Sequence, residues 1–267
     1  MRRHLPLAAL TGLLLLTACS GGGGGTSKTA ALPGDTPSPS GVGASATPDA
    51  STSPSAAASA SASASAVGAG CASGGVPAGA VSRPTIDVDG DGRPDTLWLS
   101  SKQGVRRTGI TTAAGTTFGT TVRSASPVAA SVLAARPAPG GPVDLLVDDG
   151  RSVQVLVVAG CSVQQLLNPQ GTPYVFDLGN RYGTGTGVGC LGPAGAGLTG
   201  LQANGTDGTS YSIKRTSVVQ QGNRAHNGAM DTLRATQSRD AKLIASAQTV
   251  TCGDQTIERD GVHEPQS

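Results

Sequence analysis

The chain has 267 residues, with 19 lysines and arginines against 17 aspartates and glutamates, a formal net charge of +2. Arg2 and Arg3 belong to a segment that we predict is removed, which leaves the remaining chain electrically neutral. A neutral chain with scattered arginines lacks the basic surface of a nucleic-acid-binding protein and the polybasic segment that binds anionic lipid.

Residues 1–18 have the pattern of an export signal. Arg2 and Arg3 form a positively charged start, and the apolar run that follows over residues 5–16 is shorter than the about 20 residues that span a bilayer. The run ends in Leu16-Thr17-Ala18-Cys19, which resembles the lipobox of bacterial lipoproteins. The resemblance implies that Cys19 is acylated and becomes the N-terminus. The alternative is an ordinary secretory signal with a chance cysteine, and Sec and twin-arginine export both stay open.

Residues 19–70 are the lipidated cysteine and a linker of glycine, serine, alanine, threonine and proline. This composition cannot bury enough apolar surface to offset the entropy of ordering, so we predict a disordered linker. Its root-mean-square span is on the order of 40 Å, at about 5–6 Å × √n. We therefore expect a domain tethered to the outer face of the cell membrane, with acyl chains that each contribute about 0.8 kcal/mol per buried CH₂.

We predict one all-β domain over residues 71–262, followed by a frayed tail at residues 263–267. Short apolar runs broken by glycine and proline indicate strands, and only residues 230–244 favour a short helix. The run of glycines at residues 183–189 is interpreted as a flexible turn before the strand of Cys190. Residues 220–228 are interpreted as a long hairpin connection, with a binding loop as the alternative.

Four cysteines remain after Cys19: Cys71, Cys161, Cys190 and Cys252. An even number in an exported domain predicts two disulfides, which would reinforce a core with few aromatic residues. Of the three possible pairings we favour Cys71–Cys161 and Cys190–Cys252. No C-x-x-C pair is present, so a zinc or redox site has little support.

The most specific internal motif is the acidic loop of residues 87–95. Asp87, Asp89, Asp91 and Asp95 supply carboxylates at loop positions 1, 3, 5 and 9, and the Arg93 carbonyl can supply a further oxygen. Calcium binds six to eight oxygens at about 2.3–2.6 Å, and glycines at residues 90 and 92 allow the loop to curl around it. We predict one structural calcium ion here, with a plain Asp-Gly turn as the alternative. An EF-hand is excluded because residue 98, where it needs glutamate, is tryptophan.

Residues 86–120 resemble one FG-GAP/VCBS repeat: the acidic loop leads into Thr96-Leu97-Trp98-Leu99 and later into Gly115-Thr116-Thr117-Phe118-Gly119. The resemblance implies an integrin-type β-propeller blade with calcium at the loop. Fainter copies begin near residues 143 and 197, and their loops, at residues 138–142 and 191–195, contain no carboxylates. The chain is too short for a seven-bladed ring, so we expect a small or partial propeller-like array.

Catalytic motifs such as Gly-x-Ser-x-Gly, His-Glu-x-x-His or a Walker loop do not occur in the sequence. Ser238, His226 and Asp231 could be imagined as a triad, but their spacing does not argue for one. We therefore expect a non-catalytic surface module that binds a protein or a polysaccharide, or that serves envelope structure. The alternative is a surface hydrolase or polysaccharide-active enzyme with a site built from dispersed loops. A solute-binding lipoprotein is disfavoured because the strands do not alternate with helices.

Overall fold

The computed structural model describes residues 74–181, 184–205 and 207–265. The signal segment, Cys19, the linker and Cys71 lie outside these ranges. The predicted all-β class is confirmed, because antiparallel sheets account for most of the described chain. The described helices are all too short or too polar to cross a membrane.

The first sheet is a four-stranded antiparallel meander. Its strands are β1 (Val81–Pro84), β2 (Thr96–Lys102), β3 (Val105–Thr111) and β4 (Thr117–Val122). The Trp98 ring packs against Gly109 of β3 and Gly119 of β4, where a Cβ would come within 2.5 and 2.6 Å of the ring, respectively. Gly119 of the Gly-Thr-Thr-Phe-Gly run is therefore required for close packing against the tryptophan.

The second sheet repeats this antiparallel order after a short connection. Its strands are β5 (Ser131–Ala135), β6 (Val143–Asp148), β7 (Ser152–Ala159) and β8 (Ser162–Gln165), with β9 (Val175–Asp177) also paired to β7. Alternate side chains of β5, β6 and β7 enter two different hydrophobic clusters. One cluster includes Leu97 and Ile110 of the first sheet, and the other includes Leu198 and Val218 further along the chain. Both faces of the second sheet are thus buried, which explains its nearly continuous apolar strands.

The third sheet has five longer antiparallel strands. They are β10 (Gly179–Arg181), β11 (Thr184–Gly192), β12 (Gly195–Gly205), β13 (Ser210–Gln221) and β14 (Arg224–Thr236). None of the sheets in the described ranges closes on itself. The structure therefore has the predicted antiparallel strands, and the propeller-like array stays a prediction.

Two predicted loops are strands in the third sheet. The glycine run predicted as a flexible turn belongs to β11 from Thr184 onward, so that prediction is wrong. A Cβ at Gly187 would lie 2.2 Å from the Ser246 carbonyl oxygen, so the missing side chain lets another segment pack against the strand. The long hairpin connection predicted at residues 220–228 is a tight turn at Gly222 and Asn223, between β13 and β14.

The C-terminal region caps the sheets. It comprises α1 (Gln237–Ser246), β15 (Thr251–Cys252), β16 (Gln255–Thr256), α2 (Ile257–Asp260) and β17 (Val262–His263). The helix predicted at residues 230–244 begins only at Gln237, because the preceding residues pair with β13. The Cys190–Cys252 disulfide is confirmed and joins β11 to β15. Cys161 is also disulfide-bonded, and its predicted partner Cys71 lies outside the described residues.

The tail predicted to fray from residue 263 is instead ordered as far as it is described. His263 pairs with Ser131, which makes β17 the edge strand of the second sheet. Glu264 accepts a hydrogen bond from the Ala130 N–H at 2.8 Å and forms an ion pair with Arg106 at 2.8 Å. Both side chains of this pair are only 10% exposed, so the tail is fixed by a partly buried contact that no local pattern indicates.

Candidate metal centre

The acidic loop between β1 and β2 is anchored by its last carboxylate. Asp95 is 1% exposed, and its two oxygens accept hydrogen bonds from the backbone N–H groups of Val88 at 2.7 Å and Ala113 at 2.8 Å. Val88 belongs to the loop itself and Ala113 to the turn between β3 and β4, so one buried side chain closes the loop and fixes it against that turn. A buried carboxylate is tolerated because it is hydrogen-bonded.

Three of the predicted ligands come together. Asp87, Asp89 and Asp95 each offer a carboxylate oxygen, and these oxygens lie within 4.8 Å of one another. Asp87 is oriented by the N–H groups of Gly90 at 2.7 Å and Gly92 at 2.8 Å. Both glycines have φ of +83°, which other residues adopt at a cost, so the glycines permit the tight curl that the sequence predicted.

Asp91 and Arg93 are placed differently from the prediction. The Asp91 carboxylate accepts hydrogen bonds from the Arg93 side chain at 3.1 and 2.9 Å and from its N–H at 2.8 Å. The side-chain bond from Arg93 lowers the pKa of Asp91. Asp91 is not part of the three-carboxylate cluster, because the guanidinium two residues later competes for it. A role for the Arg93 carbonyl remains a prediction.

The electrostatics of the cluster favour a cation. Partial burial raises the pKa of Asp89, an N–H of Asp91 opposes this, and the charges of Asp95, Asp91 and Asp87 raise it further. Three carboxylates at this separation repel one another unless a positive charge lies between them. Each oxygen that accepts one hydrogen bond keeps a second lone pair, so Asp87, Asp89 and Asp95 fit as ligands of a cation that prefers oxygen.

One contributor to the site was not predicted. Arg136, directly after β5, donates to the carbonyl oxygens of Asp87 at 3.1 Å and Val88 at 3.4 Å. Its other terminal nitrogen donates to the Gly141 carbonyl at 2.7 Å. The loop is thus held from outside by an arginine of the second sheet. No sequence signal marks this residue, since it lies 48 or 49 positions away from its partners.

The imagined catalytic trio is not assembled. Asp231 is held by Arg215 at 2.8 and 2.5 Å, and Ser238 lies in α1. His226 lies on β14 opposite Val219. No hydrogen bond joins these three side chains in the ranges that the structure describes. Their arrangement offers no base next to the serine, so it does not support nucleophilic catalysis.

The comparisons with known proteins give no relative. No protein-family model matches the chain, and no curated protein or solved structure is detectably similar to it. The resemblance of residues 86–120 to an FG-GAP/VCBS repeat therefore stays a prediction. Interpretation of the site depends on its own geometry.

Proposed function

We propose that this chain is a non-catalytic, membrane-anchored lipoprotein whose β domain is made rigid by one calcium ion and serves in binding or envelope structure. The observation that carries the proposal is the cluster of Asp87, Asp89 and Asp95, anchored in the core through Asp95. An ion at this cluster would be a local brace for the β1–β2 loop. Calcium is the preferred occupant because the side-chain donors are carboxylates, without the histidine or cysteine that zinc prefers.

The integrin-type propeller blade is part of the proposal. Its support is the repeated antiparallel meander and the position of the second sheet between hydrophobic clusters that reach both of its neighbours. In the repeat that residues 86–120 resemble, the acidic loop leads into a hydrophobic strand, as residues 87–95 lead into β2. The other two sheets would be copies that have lost their acidic loops.

The anchor and the location outside the cytoplasm are proposed from Cys19 and the linker sequence. A stable attachment would need two or more acyl chains, because one gives only marginal binding. Metabolic labelling with a radioactive fatty acid should label the wild-type chain and leave Cys19→Ser unlabelled. Equal labelling of both would refute acylation at Cys19.

Thermal unfolding with and without calcium tests the metal brace. At a calcium concentration about tenfold above the Kd, a single site adds about 1.4 kcal/mol, which raises the Tm by about 2–4 °C. Asp89→Ala should abolish this increase because it removes one of three ligands. Asp207→Ala is the matched control, since Asp207 also accepts backbone hydrogen bonds in an Asp-Gly turn. An increase that survives Asp89→Ala, or no increase in the wild type, would refute the site.

A further inference from the structure

A cavity of about 640 Å³ lies against the third sheet, next to Arg136 and Pro137 at the end of β5. The strands β11 to β14 form its floor, while α1 and the β15–β16 hairpin with the Cys190–Cys252 disulfide form its walls. Its volume falls within the roughly 300–1,000 Å³ of pockets that bind small molecules. It is distinct from the carboxylate cluster, and neither the proposed calcium ion nor the tether explains it.

The lining of the cavity is mainly apolar. Leu201 is buried at its base, and Leu233 and Leu243 are half-buried along its sides. Leu191, which also lines it, is 65% exposed, the largest exposed fraction among the large hydrophobic side chains of the described residues. A leucine exposed beside a concave apolar surface contributes little to folding, and it is suited to contact an apolar ligand.

Three cationic side chains line the same cavity, and they differ in how they are neutralised. Arg215 is held by Asp231 through two hydrogen bonds, so its charge is already compensated. Arg136 donates only to backbone carbonyl oxygens and forms no ion pair with any described carboxylate. Lys242 contacts Asp254 at 3.4 Å, but both side chains are more than 90% exposed, so the contact is weak.

We propose that this cavity binds an amphiphile with one anionic head group, a carboxylate or a phosphate ester. The leucines take up the apolar body, and Arg136 with Lys242 receives the anionic oxygens. Arg136 is suited to this role because its guanidinium is already fixed by three carbonyls, which lowers the entropy cost of forming a charge-assisted hydrogen bond. The proposal does not depend on calcium at the acidic loop.

Calorimetric titration of the full chain with dodecanoate, below its micelle concentration, tests the proposal. Saturable binding of one molecule per chain is expected, with dodecanol and dodecyltrimethylammonium at least about tenfold weaker, since neither offers an anion to Arg136. Dodecyl phosphate and dodecanoate distinguish the two head groups, and binding of either supports the shared anionic chemistry. The proposal would be overturned if neither dodecanoate nor dodecyl phosphate bound, or if dodecanol and dodecyltrimethylammonium bound as tightly as the anionic probes.

Two variants locate the bound molecule. Leu191→Asp places a charge at the apolar mouth and should weaken dodecanoate binding at least about tenfold, while Lys242→Glu should weaken it several-fold. Val105→Asp and Lys102→Glu are the matched controls, because these exposed residues lie on the first sheet, away from the cavity. Unchanged binding in Leu191→Asp would overturn the assignment. So would self-association that Leu191→Asp abolishes without any dodecanoate binding, because the cavity would then be an interface between copies.

Discussion

Two loops occupy equivalent places in the first and second sheets, between the first and second strands of each meander. The loop before β2 contains three mutually close carboxylates. The loop before β6 contains none, and it is closed by the Gly141 N–H on the Ala138 carbonyl at 3.0 Å and by Arg136 on the Gly141 carbonyl at 2.7 Å. The repulsion among the carboxylates of the first loop favours a cation between them, whereas the second loop is satisfied by its own backbone and an arginine.

The two loops are also in contact. Arg136 of the second loop holds the Asp87 and Val88 carbonyls of the first. The loop without carboxylates therefore supports the loop that has them. A substitution in either loop should change the stability of the other, and the size of the change should follow from the hydrogen bonds that are lost.

The largest loss of unfolding free energy is expected for a substitution of Asp95 in the first loop. Asp95→Ala removes the acceptor of two backbone N–H groups and should lower the free energy of unfolding by about 2–5 kcal/mol, measured by urea denaturation in a chelator. Pro139→Ala is the control in the second loop, where the residue is exposed and the loss should stay below about 1 kcal/mol. Equal losses in the two variants would contradict the anchoring role of Asp95.

The second sheet contains a buried aspartate within one of its strands. Asp144 of β6 is fully buried, Gln220 donates to one of its oxygens at 3.1 Å, and the other oxygen has no partner. Burial raises the pKa of Asp144 from an ordinary value of 3.8 to about 7. The folded chain therefore holds a proton that the unfolded chain releases between these pH values, so its stability should fall as pH rises from 4 to 7.

Asp144→Asn should remove most of this pH dependence, which amounts to on the order of 2–4 kcal/mol across that range. Denaturation midpoints measured at several pH values between about 4 and 7.5 provide the test. Asp207→Asn serves as the control, because Asp207 is exposed and hydrogen bonds from Ser210 and Thr209 lower its pKa. If Asp144→Asn keeps the wild-type slope, another group is responsible.

A smaller loss of unfolding free energy is expected for a substitution of Arg136, which joins the two loops. Arg136→Gln removes most of the donors that reach the Asp87, Val88 and Gly141 carbonyls and should cost about 1–2 kcal/mol of unfolding free energy. Arg93→Gln should have little effect, since the Arg93 side chain is 60% exposed. Calorimetry of the two variants under identical conditions separates these expectations, and an equal loss would show that Arg136 does not brace the loop.

The sequence was sufficient where the signal is local. Short apolar runs broken by glycine and proline indicated the strands, and the acidic motif of residues 87–95 indicated a carboxylate cluster, of which Asp87, Asp89 and Asp95 come together. It failed where the cause lies elsewhere in the chain. The glycines of β11 are strand residues because another segment packs on them, and Asp91 turns away because Arg93 can reach it. Arg136 and Glu264 act through contacts across long sequence separations, which no local pattern encodes.

Isothermal titration calorimetry with calcium is the most direct test of the proposed calcium site. We expect one ion per chain, with a Kd of about 10⁻⁴–10⁻³ M if the site behaves as extracellular modules do. Asp89→Asn should abolish binding, and Asp91→Asn should retain one ion per chain because its carboxylate is held by Arg93. Absence of calcium binding, or binding that persists in Asp89→Asn, would contradict the assignment of Asp87, Asp89 and Asp95 as a calcium site.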